Sequence, residues 1–187
     1  MLFRSPGRIG HRTTINRFVA QPMEGNDADR GAVSERTLER YRNLAKGDWG
    51  IIVVEAISIT PHSRARKNQL VIDRAGLGGY ARLVKEIKSI SPDTVVLFHI
   101  THSGRKSGKD FSEPVAAYKP TGGNRLLSAG DLRQIQKGFV ESVLLAHEAG
   151  ADGVDLKLCH GYLACELLRP ANLRDDEWGG SFENRTR

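Results

Sequence analysis

Ile51-Ile52-Val53-Val54-Glu55-Ala56 is a short, nearly continuous apolar run rich in β-branched residues. A run that does not alternate with polar residues suits a parallel strand covered on both faces. Thr94-Val95-Val96-Leu97-Phe98-His99-Ile100 repeats the pattern. Between them, Leu77 to Ile90 places Leu77, Tyr80, Leu83, Val84 and Ile87 at helical spacing, and Ser91-Pro92 stops the helix. Working outward, Arg17-Phe18-Val19-Ala20 is a strand candidate on one side and Gly153-Val154-Asp155-Leu156-Lys157-Leu158 on the other. Ser34 to Lys46 reads as a helix with Ser34 as N-cap and Gly47 beyond its end. Leu132 to Ala149 repeats Leu132, Ile135, Phe139, Val143 and Ala146, with Ser128 or Asp131 as cap and Gly150 as stop. The order βαβαβαβ predicts a parallel sheet or barrel. Ser103 to Gly130 reads as a long polar loop after the third strand. In a barrel, such loops build the catalytic face.

The chain has 187 residues, which suits one domain with a buried core. A composition of 39% hydrophobic and 27% charged residues reads as a soluble globular protein. No stretch approaches the roughly 20 apolar residues of a membrane helix, and the basic N-terminus lacks the apolar core of a signal peptide. The expectation is a cytoplasmic protein with no membrane partner. Two cysteines, Cys159 and Cys165, exclude a disulfide framework and a self-contained four-cysteine metal or iron–sulfur site. The net charge is +6, with basic clusters at Arg64-Ala65-Arg66-Lys67 and Arg105-Lys106-Ser107-Gly108-Lys109. No nucleic-acid motif accompanies them. They read as a solvated face, or as loops that meet an anionic cofactor or substrate. Gly76-Leu77-Gly78-Gly79 lacks the preceding strand of a dinucleotide fingerprint and reads as a turn.

Six motifs stand in order over about residues 13–187. They are Asn16-Arg17-Phe18-Val19-Ala20-Gln21-Pro22-Met23, Gly50 to Ala56, His102-Ser103-Gly104-Arg105, His160-Gly161-Tyr162-Leu163, Arg169-Pro170-Ala171-Asn172 and Arg174 to Arg185. Each is weak alone. Together they resemble the Old Yellow Enzyme family of FMN-dependent NAD(P)H:flavin oxidoreductases. The resemblance implies a (β/α)8 TIM barrel, here its N-terminal half with about four parallel strands, since a whole barrel takes about 250 residues. Residues 1–187 are then the N-terminal part of one FMN-binding domain, truncated at the C-terminus.

The resemblance implies FMN against Pro22, Met23, Glu24, Ala56 and His99, with NAD(P)H as reductant and an activated alkene as small-molecule substrate. The family's glutamine after the third strand is replaced by His99, which cannot offer the same donor-plus-acceptor pair. The family's oxygen-holding pair falls on Lys157 and His160, and its proton donor on Tyr162. Lysine in place of histidine makes the first member a flexible point charge, which favours a substrate carrying a carboxylate. Glu24 stands where relatives carry threonine or cysteine, and Lys157 is a partner for it across the pocket.

Plainer readings stand beside these. His99 is also readable as a core histidine, His102 as a structural one, and Glu55 as a buried carboxylate with a paired neighbour. Cys159 and His160 with His99 and His102 are readable as metal ligands, although the spacing is wrong for a known pattern. A half-barrel without catalysis of its own is the third reading. Its open edges and inner face, carrying Ile52, Val54, Val96 and Phe98 or their alternating neighbours, predict association into homo-oligomers or aggregates, weak FMN binding and no activity in isolation.

Overall fold

The computed structural model describes residues 2–187. An antiparallel hairpin, β1 (Gly7–Ile9) and β2 (Arg12–Thr14), opens the chain. It is followed by β3 (Val19–Ala20), α1 (Glu35–Ala45), β4 (Ile51–Ser58), α2 (Leu77–Ile90) and β5 (Val95–Thr101). Then come β6 (Val115–Ala116), β7 (Arg125–Leu126), α3 (Ala129–Glu148), β8 (Gly153–Leu156), α4 (Leu163–Leu168) and α5 (Phe182–Arg185). The main sheet has the order β3-β4-β5-β8 and is parallel throughout. All its strands therefore end on one edge. The fold class and the four parallel strands agree with the sequence reading. No helix among the described residues is long and apolar enough to cross a membrane.

Local chemistry accounts for the helix limits. Ser34 Oγ accepts from the Thr37 N–H at 3.1 Å and the Thr37 hydroxyl returns to the Ser34 N–H, closing a capping box on α1. Ser128, not Asp131, caps α3; Asp131 sits three residues on and accepts from the Ser128 N–H at 2.9 Å. Gly150 has φ +87°, a conformation that favours glycine, and ends α3.

Ile52, Val54, Val96 and Phe98 are fully buried and pack with Leu38, Tyr41, Tyr80, Leu83 and Ile87 of α1 and α2. They face the helices, so of the two alternatives for the inner face these four are excluded and their alternating neighbours remain. Each such side chain contributes about 1.5–3 kcal/mol by leaving water. The 103–130 segment also needs correction. It carries β6 and β7, paired in parallel, and its Val115, Ala117 and Leu127 form a second small core with Leu132, Leu163 and Trp178. Two-residue strands are too short to show a period, so the sequence read as a loop. The initial hairpin escaped notice for the same reason.

The His102-Ser103-Gly104-Arg105 segment ties β5 to α4. The His102 carbonyl accepts from the Leu163 N–H at 3.1 Å, and its Nδ1 accepts from the Gly104 N–H at 3.1 Å. Gly104 has φ +58°, and a Cβ there would lie 3.1 Å from Leu163 Cα. Arg105 pairs with buried Glu166 and donates to the Tyr118 carbonyl at 2.9 Å. Burial pushes the His102 imidazole down to about 4, with Glu113 opposing weakly. The folded state thus prefers neutral His102. Its contribution is complete above the unfolded value of about 6.5 and falls away as pH drops from there towards 4, by up to about 3 kcal/mol. Urea unfolding across this range should show that loss in the native chain. His102→Asn, which cannot titrate, should flatten the slope; an unchanged slope would exclude His102 as its source.

Candidate active site

The edge where the strands end is shaped first by a buried carboxylate. A register shift between Val54 and Ala56 inserts Glu55 as an unpaired residue of β4. Its side chain, 1% exposed, pairs with Arg40 of α1 and accepts from the Gly25 N–H at 3.1 Å. Its own N–H donates to the Tyr41 hydroxyl at 2.7 Å. Arg40 also grips Asp27 through Nε at 2.8 Å and Nη2 at 3.0 Å. Burial works to raise the Asp27 carboxyl, but the Arg40 and Thr37 hydrogen bonds and the Arg40 charge outweigh it and hold it below the usual carboxylate value. This network fastens residues 24–28 to α1 and β4, and so fixes the segment that follows β3.

Five side chains, Glu24, Arg66, Lys157, Tyr162 and His99, converge at the edge. Glu24 Oε1 lies 3.3 Å from Lys157 Nζ, and its Oε2 lies 2.5 Å from Arg66 Nε. Lys157 is buried just past β8, with its Nζ 4.3 Å from the centroid of the Tyr162 ring. Tyr162 is buried too. Burial and the Glu24 charge raise its hydroxyl, Arg66 opposes them, and the phenol stays protonated at neutral pH. His99, at the end of β5, is buried with Nδ1 2.6 Å from Asp155 Oδ2. Burial lowers the imidazole more than Asp155 raises it, so His99 is neutral, donating from Nδ1 and leaving Nε2 as an acceptor.

The expected site residues do not all meet. Glu24, His99, Lys157 and Tyr162 come together, and the Glu24–Lys157 pair is present. Pro22 is half-buried and Met23 is 78% exposed on the segment after β3. His160 stands in an exposed turn at φ +58°, its Nδ1 3.0 Å from Cys159 Sγ. No hydrogen bond or ion pair joins His160 to Lys157 or Tyr162. Ala56 has no exposed surface, and its carbonyl accepts from Gln69 Nε2 at 3.1 Å. Glu55 is paired as the sequence suggested. Among the described residues, no three histidine, cysteine or carboxylate side chains could hold a metal ion. From the sequence, Arg66 belongs to a basic cluster readable as a solvated face or as a loop that meets an anionic cofactor or substrate, with no individual role. Its place in the loop after β4 was the available signal.

Arg40→Met should leave Glu55 and Asp27 without a partner at a cost of about 3–5 kcal/mol. Because protonation can relieve an unpaired buried carboxylate, the loss should be larger at pH 8 than at pH 5. Denaturant titrations at both values check this, and a pH-independent loss would contradict it.

The fold and this edge can be set beside known proteins. The whole chain, residues 1–187, matches the NADH:flavin oxidoreductase / NADH oxidase family. The NADPH dehydrogenase of Clostridium acetobutylicum is 35% identical over 180 residues, covering 92% of this chain and 52% of that protein. The NADH oxidase of Thermoanaerobacter brockii is 31% identical over 195 residues, covering 98% of this chain and 30% of that one. Among solved structures, a 2-naphthoyl-CoA reductase in complex with 2-naphthoyl-CoA aligns with a TM-score of 0.91 at 24% identity, covering 98% of this chain and 31% of that one. The old yellow enzyme homologue from Zymomonas mobilis aligns at 0.88 and 24%, covering 99% and 56%. The chain spans about half the length of the first relative and under a third of the second. A match along its full length, on a parallel sheet of the same topology, makes this chain a member of the NADH:flavin oxidoreductase / NADH oxidase family.

Proposed function

We propose that this chain is the N-terminal part of an FMN-dependent NAD(P)H oxidoreductase that reduces an activated alkene. The observation that carries the reading is the convergence of Lys157, Tyr162, Glu24 and His99 on the edge where the parallel strands end. The residues fit a flavin by their chemistry. His99 Nε2 is an acceptor without a protein partner, suited to a ring N–H. Lys157 is a donor for a carbonyl oxygen, and Met23 beside Pro22 offers exposed apolar surface for a flat ring.

When bound, FMN would supply hydride transfer between NAD(P)H and the alkene. The chain's own groups do the rest. Lys157 donates to the substrate oxygen on which negative charge develops, and it does so from a buried position where that charge is poorly solvated. Tyr162, held protonated by burial and by Glu24, delivers the proton to the carbon next to the carbonyl. Glu24 holds the Lys157 ammonium in place at 3.3 Å. His160 joins only if the 159–161 turn rearranges.

In the same reading, the protein is cytoplasmic and residues 1–187 belong to a single barrel domain. An apolar groove of about 330 Å³ beside β8, lined by Phe139, Val140, Leu156, Leu158 and Leu167, takes apolar side chains from the second half of the barrel. Without them, this chain should quench FMN fluorescence only at high concentration. Fused to the second barrel half of a relative, it should bind FMN tightly and reduce 2-cyclohexen-1-one with NAD(P)H. In the fusion, Tyr162→Phe should slow alkene reduction about 10²-fold while flavin reduction by NAD(P)H is unchanged. Absence of flavin binding in both proteins would sink the reading.

A further inference from the structure

We propose that Arg66 and Lys157 form a carboxylate-binding site, with Glu24 as its built-in counter-ion, and that the substrate is an α,β-unsaturated acid. The inference rests on the reading of this edge as a substrate site and goes further by naming the group that the site selects.

Glu24 divides its two oxygens between two cations, Oε1 to Lys157 and Oε2 to Arg66. Two cations and one carboxylate leave one net positive charge. The donors are not used up. Lys157 has three N–H bonds, and among the described residues only Glu24 accepts from its Nζ. Arg66 donates to Glu24 through Nε alone. Its side chain is 58% exposed, so the outer edge of the guanidinium is open to a ligand. That edge matches a carboxylate in shape and charge.

The environment supports an anion. Lys157 is 93% buried by its 7% exposure, so an oxygen that reaches it meets little competing water. Asp155 is the other nearby acid. It is 44% exposed and turned to His99, where solvent weakens its field. A neutral ketone would use one Lys157 donor and nothing of Arg66. A carboxylate uses both cations.

Arg66 also acts through Glu24. While it holds Oε2, Glu24 cannot close both oxygens on Lys157. Arg66 is therefore a positioning residue as well as a contact. Glu24 in turn limits affinity, since its charge opposes the incoming acid.

The test compares two shape-matched probes, cyclohex-1-ene-1-carboxylate and cyclohex-1-ene-1-carboxamide. Binding to the purified chain is measured by calorimetry and ligand-observed NMR, with and without FMN. At low salt the acid should bind roughly tenfold tighter than the amide, and added salt should shrink the ratio. Arg66→Gln, at an exposed position that folding tolerates, should bring the ratio close to one. Glu24→Gln should raise affinity for the acid relative to the amide, a change in ratio that a merely structural role would not produce. Equal binding of the two probes, no binding of the acid, or a ratio unmoved by Arg66→Gln would overturn the proposal. The ratio is read without flavin as well. A chain that prefers the acid but never binds FMN would defeat the proposed oxidoreductase and keep the carboxylate site. A flavin-loaded protein that reduces 2-cyclohexen-1-one yet shows no preference would do the reverse.

Discussion

A carboxylate in the middle of an apolar strand is the constraint on which this edge depends. Glu55 sits between Val54 and Ala56 with almost no contact with water. Leaving it unpaired would cost several kcal/mol. Arg40 reaches it from α1, and Arg40 in turn needs a second partner, which is Asp27. The pairing works because a one-residue irregularity in β4 turns Glu55 to the helix side. The consequence runs outward. Asp27 and Gly25 are held, so the segment after β3 is held, and Glu24 is brought within reach of a lysine that lies 133 residues further along the chain.

The edge is built from alternating charges. Arg66, Glu24 and Lys157 form one line, and His99 with Asp155 forms a second pair beside it. A buried ammonium loses hydration and needs compensation. Lys157 has it from Glu24 and from the face of Tyr162. Burial keeps the Tyr162 phenol protonated, and Glu24 adds to it, since a nearby carboxylate disfavours a second negative charge. Glu24 and Lys157 are thus coupled. Each would be costly at its place without the other, and both depart from the residues that the family resemblance leads one to expect there.

Much of the fold was legible in the sequence. Long apolar runs and amphipathic helices report their period directly, and β4, α2 and β5 lie close to where that period put them. A parallel order follows from the helices between the strands, and with it the placing of Tyr162, Lys157 and His99 at one edge. Short elements were not legible. The hairpin of residues 7–14 and the pairing of Val115–Ala116 with Arg125–Leu126 involve too few residues in each strand to carry a period.

Residue types and their order along the chain determined the sheet, its direction and which side chains end its strands, because these depend on patterns within about ten residues. Tertiary structure alone decided which way each side chain turned and what it touched. The irregularity at Glu55 broke the alternation of β4 and turned that carboxylate to the helix side, against Arg40. A left-handed residue at His160 carried that side chain to the surface. Arg66, one of several basic residues in its loop, became part of the edge only because Glu24 was fixed within reach of it. Such outcomes depend on distances between segments far apart in sequence, and a charge or a ring has no fixed role until packing sets its neighbours.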